Sequence, residues 1–316
     1  MQMNPIYSLA MVIALTALTA CGGSANDASD EETLTAETTS QAAVTPRDLS
    51  AALPATPRDA PAPRTLPEIM SLYTFDCGTI AISDLDGFST AGDYKDKSDE
   101  FSNTCYLIRH PDGDLLWDVG LPAAIKGPDP TVNDVFTLTV DETVEEQLAL
   151  IGLSPTDIEY VSVSHSHFDH TGQPEAAGNA TWLVHAREYQ AMFADPQTAQ
   201  SYAGFAGFDR QEFTGDYDVF GDGSVMILEM PGHTPGHTAL QIMLPDNGPV
   251  LLTGDLYHRK ESRALKRVPR FNTDEAKTRQ SMVRFEQLAE TLDAFVIIQH
   301  EPDDVDQLPT VPDALN

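Results

Sequence analysis

The chain reads Ser164-His165-Ser166-His167-Phe168-Asp169-His170 directly after a strongly β-prone run at residues 158–163. Imidazole nitrogens and carboxylate oxygens are the ligands that first-row divalent metals prefer near neutral pH. His165 and His167 are separated by one residue, and on an extended strand end this spacing places both side chains on the same side of the chain. Asp169 and His170 follow where the chain turns, which suits a second ion close by. The stretch therefore predicts a metal site at the end of a strand.

Three more residues of ligand type follow strands or lie in tight turns. His233 belongs to the run Pro231-Gly232-His233-Thr234-Pro235-Gly236-His237, whose Pro and Gly residues can hold an imidazole rigidly. Asp255 ends an apolar strand, where a carboxylate can bridge two cations, and His300 follows another apolar strand at residues 294–298. Each residue alone is more often a turn, capping or surface residue. Five histidines and two aspartates at strand ends are difficult to explain separately, so we predict two metal ions and a hydrolytic reaction.

Three other histidines and two cysteines could bind metal or react, but we assign them structural roles. His110, His185 and His237 are interpreted as surface or capping histidines, because an isolated His after a strand is more often that than a ligand. Cys77 and Cys105 could form a disulfide in an exported domain. Both lie in β-like runs, and we favour free buried cysteines that act as small hydrophobic residues.

The composition bounds the class of protein. The chain has 316 residues, 41% of them hydrophobic, which is enough for a leader and one large domain with a sizeable core. Its formal net charge of −31 argues against nucleic acid or another polyanion as partner, since like charges repel. Solubility is the simplest explanation of this charge.

The N-terminus has the pattern of a targeting segment. Residues 7–20 are apolar but too few for a transmembrane helix, and they end in Leu18-Thr19-Ala20-Cys21. Small residues before a cysteine resemble the bacterial lipoprotein processing site, so we predict a signal peptide at 1–21 and a lipid on Cys21. The alternative is an ordinary cleaved signal peptide with an incidental cysteine. Residues 22–66 are rich in Ala, Thr, Ser, Pro and acidic residues and predict a disordered tether, which leaves residues 67–316 as the folded domain.

The folded domain reads as strands with interspersed helices. Alternating and apolar runs predict strands, among them residues 71–81, a hairpin at 103–120 and the strand at 158–163. Helices are predicted at 143–150 and 273–292, each entered from a Thr or Asp cap. This pattern favours an α+β fold in which two sheets pack together and helices cover the outer faces.

The motifs together resemble the metallo-β-lactamase superfamily, from about Ser71 to the C-terminus. Within it the chain is most similar to the N-acyl homoserine lactonases, on the HxHxDH cluster, the Pro-Gly-His turn and the runs Phe75-Asp76-Cys77-Gly78 and Trp117-Asp118-Val119-Gly120. The resemblance implies a four-layer αβ/βα sandwich with a dinuclear site, usually zinc, at one sheet edge. It implies hydrolysis of the lactone ring of N-acyl homoserine lactones, which is quorum quenching, by a hydroxide that bridges the two ions.

The resemblance also implies a ligand for each ion. One ion would take His165, His167 and His233, the other would take Asp169, His170 and His300, and Asp255 would bridge them. Asp169 would also help to protonate the leaving group. The β-lactamases of this superfamily lack the bridging aspartate, so Asp255 argues against a β-lactam substrate.

The residues expected to contact the substrate match the family less closely than the metal ligands do. Many of these lactonases carry a Tyr three residues after the bridging Asp, whereas this chain has His258 there and Tyr257 one residue earlier. Either His258 replaces the phenol as hydrogen-bond donor, or Tyr257 turns in, or neither matters; we favour His258. Phe168 is the strongest candidate for the acyl-chain groove. The other aromatic candidates are Phe88, Phe193, Tyr202, Phe205 and Phe208.

Two alternatives remain at this stage. One is another hydrolase on the same scaffold, acting on organophosphate, aryl ester or thioester substrates. The other is a non-enzymatic lipoprotein that sequesters metal. We expect a small-molecule lactone as partner and attachment to a membrane, the outer membrane or periplasmic face of a Gram-negative cell, through the lipid alone. Whether the chain forms a homodimer is left open.

Overall fold

The computed structural model describes residues 66–316 of the chain. In this part of the chain there are thirteen β-strands and six α-helices. The strands are β1 (Ser71–Ile82), β2 (Asp99–His110), β3 (Gly113–Trp117), β4 (Thr131–Asn133), β5 (Phe136–Thr139), β6 (Tyr160–Ser162), β7 (Thr181–His185), β8 (Arg210–Phe213), β9 (Tyr217–Asp218), β10 (Val225–Glu229), β11 (Thr238–Leu244), β12 (Gly248–Leu252) and β13 (Phe295–Ile297). The helices are α1 (Val144–Leu150), α2 (Ala186–Met192), α3 (Pro196–Ser201), α4 (Lys260–Leu265), α5 (Glu275–Leu292) and α6 (Pro302–Val305).

The strands form two sheets. The larger has eight strands in the order β4-β5-β1-β2-β3-β6-β7-β8, and the smaller has five in the order β13-β12-β11-β10-β9. The strands from β3 to β8 along the larger sheet are parallel. In the smaller sheet, β12 and β13 are parallel to each other and antiparallel to β11. Parallel strands place their carboxyl ends at the same sheet edge, and this edge carries the site described below.

The sheets and helices form four layers, with apolar side chains buried between neighbouring layers. One apolar cluster joins the inner faces of both sheets and contains Trp117 and Leu183 from the larger sheet and Leu240 and Leu252 from the smaller. A second cluster lies on the outer face of the larger sheet and includes Leu148 of α1 and Met192 of α2. A third lies between the smaller sheet and α5. The sequence-based prediction of an αβ/βα sandwich is confirmed.

Helix α5 shows how the sequence produces a covering layer. The side chain of Asp274 accepts a hydrogen bond from the backbone N–H of Lys277 and so caps the first turn. Met282, Phe285 and Ala289 are spaced by three and four residues, so they share one face, and that face is buried against the smaller sheet. The charged residues of the helix lie mostly on the other side, toward solvent, while Thr278 and Ser281 are buried.

The two cysteines of the domain correct one expectation. Cys77 of β1 and Cys105 of β2 form a disulfide with their Cα atoms 5.8 Å apart, so our preference for free thiols was wrong. Both side chains are fully buried in the cluster beneath α1. They face each other because β1 and β2 are paired antiparallel and the register shifts between Asp76 and Thr79, next to Cys77. The predicted signal peptide (1–21) and all but the last residue of the predicted tether (22–66) lie outside the described residues.

Candidate metal centre

The predicted ligands meet at the carboxyl ends of strands from both sheets. The histidine-rich stretch at 164–170 follows β6 of the larger sheet. His233 follows β10, Asp255 follows β12 and His300 follows β13, all three in the smaller sheet. Since β10, β12 and β13 run in the same direction, their carboxyl ends lie at one edge, and the sandwich places the end of β6 beside them.

The seven side chains form two groups. His165, His167, His233 and Asp255 make up the first, and Asp169, His170 and His300 the second. Within each group the potential ligand atoms lie within 4.8 Å of one another. In the first group Nδ1 of His167 lies 2.9 Å from Nε2 of His165 and 3.0 Å from Nε2 of His233. Such spacing lets the atoms surround one ion.

Asp255 joins the two groups. Its Oδ2 atom lies 3.3 Å from Nε2 of both His165 and His233. Its Oδ1 atom lies 3.2 Å from Nε2 of His170 and 3.0 Å from Nε2 of His300. Each oxygen of one carboxylate thus faces a different group, which is the arrangement that a bridging ligand requires.

The donor set fits divalent cations. Nε2 of His170 and Nε2 of His300 face each other at 3.3 Å, and the buried Oδ1 of Asp255 between them has no hydrogen-bond partner. Burial lowers the pKa of His167 to about 3 and that of His233 to about 4, so both imidazoles are neutral at pH 7 and can offer a lone pair. Converging lone pairs without donors are stabilised by a cation between them.

Comparison with known proteins agrees with this geometry. The sequence model of the metallo-β-lactamase superfamily matches residues 98–300. The N-acyl homoserine lactonase AttM of Azorhizobium caulinodans is 33% identical over 219 residues, which cover 63% of this chain and 81% of that protein. The chain belongs to the N-acyl homoserine lactonase family of the metallo-β-lactamase superfamily. It is therefore a metal-dependent hydrolase.

Solved structures of such lactonases share the fold. An AiiA variant from B. thuringiensis with N-decanoyl-L-homoserine bound at the active site has a TM-score of 0.68 and 25% identity, and the match covers 78% of this chain and 98% of that one. An N-acyl homoserine lactone hydrolase with the product N-hexanoyl-L-homoserine at its catalytic metal centre matches with the same TM-score, 0.68, the same 25% identity and the same coverage of 78% and 98%.

In this member of the lactonase family, Asp118 holds the second group in place. Its Oδ2 atom lies 2.9 Å from Nδ1 of His170 and accepts a hydrogen bond of 2.9 Å from Nε2 of Gln299. Its Oδ1 atom accepts a hydrogen bond of 2.6 Å from the backbone N–H of Ser164. This role of Asp118 was not predicted from the sequence, although the position of the residue at the end of a buried strand was a usable signal. A carboxylate behind a ligating imidazole fixes the orientation of the ring.

Glu188 holds the loops of the first group in place, as Asp118 holds the second group. This buried carboxylate accepts hydrogen bonds from the backbone N–H of Ser166 at 2.7 Å, from Oγ1 of Thr234 at 2.8 Å and from the backbone N–H of Gly236 at 2.8 Å. Ser166 lies between the two histidines of the HxH pair, and Thr234 follows His233. One side chain thus ties together the two loops that supply three imidazoles. Burial raises the pKa of Glu188. Its place in α2 was not recognisable from sequence, because the contact is entirely tertiary.

The other histidines lie outside both groups. His237 is buried, its Nε2 accepts a hydrogen bond of 2.9 Å from the backbone N–H of Asp255, and its Nδ1 lies 3.0 Å from the carbonyl oxygen of Met230. His185 caps α2, and His110 stacks on the ring of Phe220. His237 therefore supports the bridging residue from behind.

The structure places His258 and Tyr257, the two candidates for contact with the substrate, on opposite sides of the chain. Nε2 of His258 lies 3.1 Å from Oδ2 of Asp255, and its ring stacks on that of His300. Tyr257 points the other way, into the cluster between the smaller sheet and α5, where burial and the Glu286 carboxylate raise the pKa of its phenol. The expectation that Tyr257 could turn into the site is wrong, because successive residues of an extended segment point to opposite faces.

Aromatic side chains flank the metal centre on two sides. Phe168 is partly exposed and packs on Phe136 of β5. On the other side Phe271 is 40% exposed, and its ring lies 5.1 Å from that of Phe88 and 5.9 Å from that of His258. The remaining aromatic candidates pack in the cluster around Trp182 beneath α2, which is the core-packing alternative to a place in the groove; they are Phe193, Tyr202, Phe205 and Phe208.

We predict that Glu188→Ala weakens metal binding by the first group about 10- to 100-fold, because three donors lose their acceptor and both loops can shift. Chelator competition on the purified protein measures the affinity. Glu188→Gln keeps one acceptor oxygen and should give an intermediate value. Glu145→Ala, which alters an exposed residue of α1, is the matched control. Wild-type affinity in Glu188→Ala would contradict the positioning role.

Proposed function

We propose that this protein hydrolyses the lactone ring of N-acyl homoserine lactones and so acts as a quorum-quenching enzyme. The observation that carries the proposal is the joining of two ligand groups by Asp255, which faces each group with one oxygen. Membership of the lactonase family supports the substrate class.

We propose zinc as the metal at both positions. His165, His167 and His233 would hold one ion, Asp169, His170 and His300 the other, and Asp255 would bridge them. When bound, the two ions would supply Lewis acidity that activates water at neutral pH and polarises the lactone carbonyl. Neutral imidazoles together with carboxylates are a donor set that zinc accepts.

His258 would stabilise the transition state. Its ring lies between the two groups, 5.4 Å from the ring of His233 and 5.8 Å from that of His300, and its Nε2 faces the bridging carboxylate. A preorganised N–H donor at this position can bind the oxyanion that forms when the carbonyl is attacked. Phe88 and Phe101 pack against the His258 ring and hold it there.

Asp169 would handle the proton of the leaving group. Its Oδ2 lies 3.5 Å from Nε2 of His300, and its backbone carbonyl oxygen accepts a hydrogen bond of 2.9 Å from the side chain of Asn103. The side chain is slightly exposed, so it can take up the proton that the attacking water releases and pass it to the ring oxygen as the C–O bond breaks.

The acyl chain would lie along the aromatic side chains at the opening. Phe168 and Phe136 bound one side, and Phe88 and the exposed Phe271 the other. An apolar chain of the substrate would gain free energy from covering these rings.

The direct test is hydrolysis of short-chain and long-chain N-acyl homoserine lactones by the purified protein, with metal content measured on the same sample. We expect ring opening with about two ions per chain. Two ions without ring opening would reject the lactone and direct attention to organophosphates, aryl esters and thioesters. Absence of bound metal would reject the hydrolytic site as a whole.

Loss of a ligand should remove both metal and activity. We predict that Asp255→Ala and His167→Ala each lower the lactonase kcat/KM by more than about 100-fold and reduce metal content, because an ion loses part of its coordination. Elemental analysis and a lactone assay measure the two effects. Asp129→Ala, at an exposed position, is the control. Wild-type turnover and metal content in either ligand variant would show that the assignment is wrong.

Substitutions can test whether His258, and not Tyr257, donates the hydrogen bond to the oxyanion. We predict that His258→Phe lowers kcat about 100-fold while metal content is retained, since only an oxyanion donor is removed. His258→Tyr should recover part of the rate, because a phenol can donate as well. Tyr257→Phe is the matched control and should leave kcat unchanged, as the Tyr257 phenol lies in the core. A full rate in His258→Phe would exclude the donor role.

We also propose that the protein is an exported lipoprotein, anchored through a lipid on Cys21 to a membrane of a Gram-negative cell, with the outer membrane favoured by Gly22. The disulfide between Cys77 and Cys105 supports export, because disulfides persist in oxidising compartments. Cys21 lies outside the described residues, and no helix in residues 66–316 is long and apolar enough to cross a membrane. The lipid would then be the anchor.

Cys21→Ser tests this anchor. We predict that the variant moves from the membrane fraction to the soluble fraction after cell lysis, because a lipid cannot be attached to serine. Immunoblotting of the two fractions measures the distribution. A variant that stays with the membranes would show that another feature holds the protein there.

A further inference from the structure

The disulfide lies where the pairing of β1 and β2 is interrupted. The register shifts between Asp76 and Thr79, so the residues between them lack regular partners on β2. The backbone of Asp76 is instead hydrogen-bonded to the side chain of Gln147, at 2.8 Å for the amide and 2.6 Å for the carbonyl. The bond from Cys77 to Cys105 therefore holds the two strands together at the point where the backbone hydrogen bonds do not.

The loop that carries Asp118 rests directly on this disulfide. Gly120 has a positive φ of 63°, and a Cβ atom built on it would lie 2.5 Å from Cβ of Cys77 and 3.1 Å from Sγ of Cys105. No side chain fits between the loop and the disulfide. A movement of either cysteine is thus transmitted to the loop.

The same loop supports the backbone around His170. The N–H of Val119 donates to the carbonyl oxygen of His170 at 3.0 Å, and the N–H of Gly172 donates to the carbonyl oxygen of Gly120 at 2.7 Å. Asp118, one residue before Val119, orients the His170 ring. Both the main chain and the side chain of His170 therefore depend on the loop above the disulfide.

The other two residues of the second group are tied to the same strands. Nδ2 of Asn103 donates to the carbonyl oxygen of Cys77 at 3.3 Å and to that of Asp169 at 2.9 Å. Nδ1 of His300 lies 2.9 Å from the carbonyl oxygen of Ser102 in β2. The first group has a further support of its own, since its loops are also held by Glu188 of α2.

We propose that the disulfide between Cys77 and Cys105, with Gly120 packed on it, positions Asp169, His170 and His300, so that this half of the site retains its ion only when the disulfide is formed. The inference rests on the metal centre of the proposed function. Reduction would add two electrons and two protons from a dithiol such as dithiothreitol and leave two thiols. A chain kept in a reducing compartment would then lack one ion, and export would complete the enzyme.

The test compares metal content in the full chain and in Cys77→Ser/Cys105→Ser, each equilibrated with zinc and dialysed against a weak chelator. We expect about two ions per chain in the oxidised wild type and about one in the double variant. Adding His300→Ala to the double variant should cause no further loss, whereas adding His233→Ala should remove the remaining ion. Two ions retained, or both lost together, would overturn the proposal, and so would fewer than two ions in the wild type.

A second variant keeps the test decisive if the cysteine variant folds poorly. Gly120→Ala leaves both cysteines in place but pushes the loop off the disulfide, and it should also lose about one ion. Gly152→Ala is the matched control, because it too has a positive φ, 76°, but has open space around it. Equal metal content in the two glycine variants would contradict the inference. A wild type that binds two ions without opening lactones would reject the proposed substrate and leave this inference intact.

Discussion

The Asp255 carboxylate is almost fully buried and faces five imidazole nitrogens, three at Oδ2 and two at Oδ1. A buried charge is tolerated only where cations or hydrogen-bond donors balance it. On one side of it burial lowers the pKa of His165 and His233, so these rings stay neutral and bring no charge that would balance the carboxylate. Divalent cations would balance the charge of this carboxylate. The surrounding loops must therefore hold the ligand atoms at fixed positions around them.

The two halves of the centre are supported by different layers of the sandwich. Glu188 of α2 holds the loops that carry the first group, and Asp118 after β3 holds the second. His237 accepts a hydrogen bond from the amide of Asp255 and so supports the residue that both halves share. Because each support is buried and uses nearly all of its acceptor atoms, the ligands are held before any ion binds. Such preorganisation is what hydrolytic catalysis at a metal centre requires.

The apolar side chains beside the site come from different parts of the fold. On one side Phe168 rests on the β4–β5 hairpin, and on the other Phe271 comes from the loop between α4 and α5. Loops at a sheet edge can vary without disturbing the cores between the layers, which is why function is often placed on them. The fold thus places the metal ligands at the strand ends and the neighbouring apolar side chains Phe168 and Phe271 on loops.

Much of this protein could be predicted from local patterns. The two-sheet sandwich, the hairpin of β2 and β3, the capped helix α5 and the seven residues of the two groups were all recognisable, because strand alternation, caps and ligand spacing are local properties. The disulfide, the burial of Tyr257 and the packing of Phe205 around Trp182 were not, because each depends on which segments meet in three dimensions. The cysteines meet at a bulge in β1, and no local sequence pattern predicts this bulge.

The sequence by itself therefore determined which residues can hold metal and which class of fold presents them, since short-range spacing specifies side-chain direction along a strand. Only the tertiary structure decided which oxygen of Asp255 faces which group, that Tyr257 is buried away from both, and that Glu188 and Asp118 hold them. The physical reason is that bridging, burial and orientation are relations between segments far apart in the chain. They arise when the two sheets pack and the carboxyl ends of β6, β10, β12 and β13 come together.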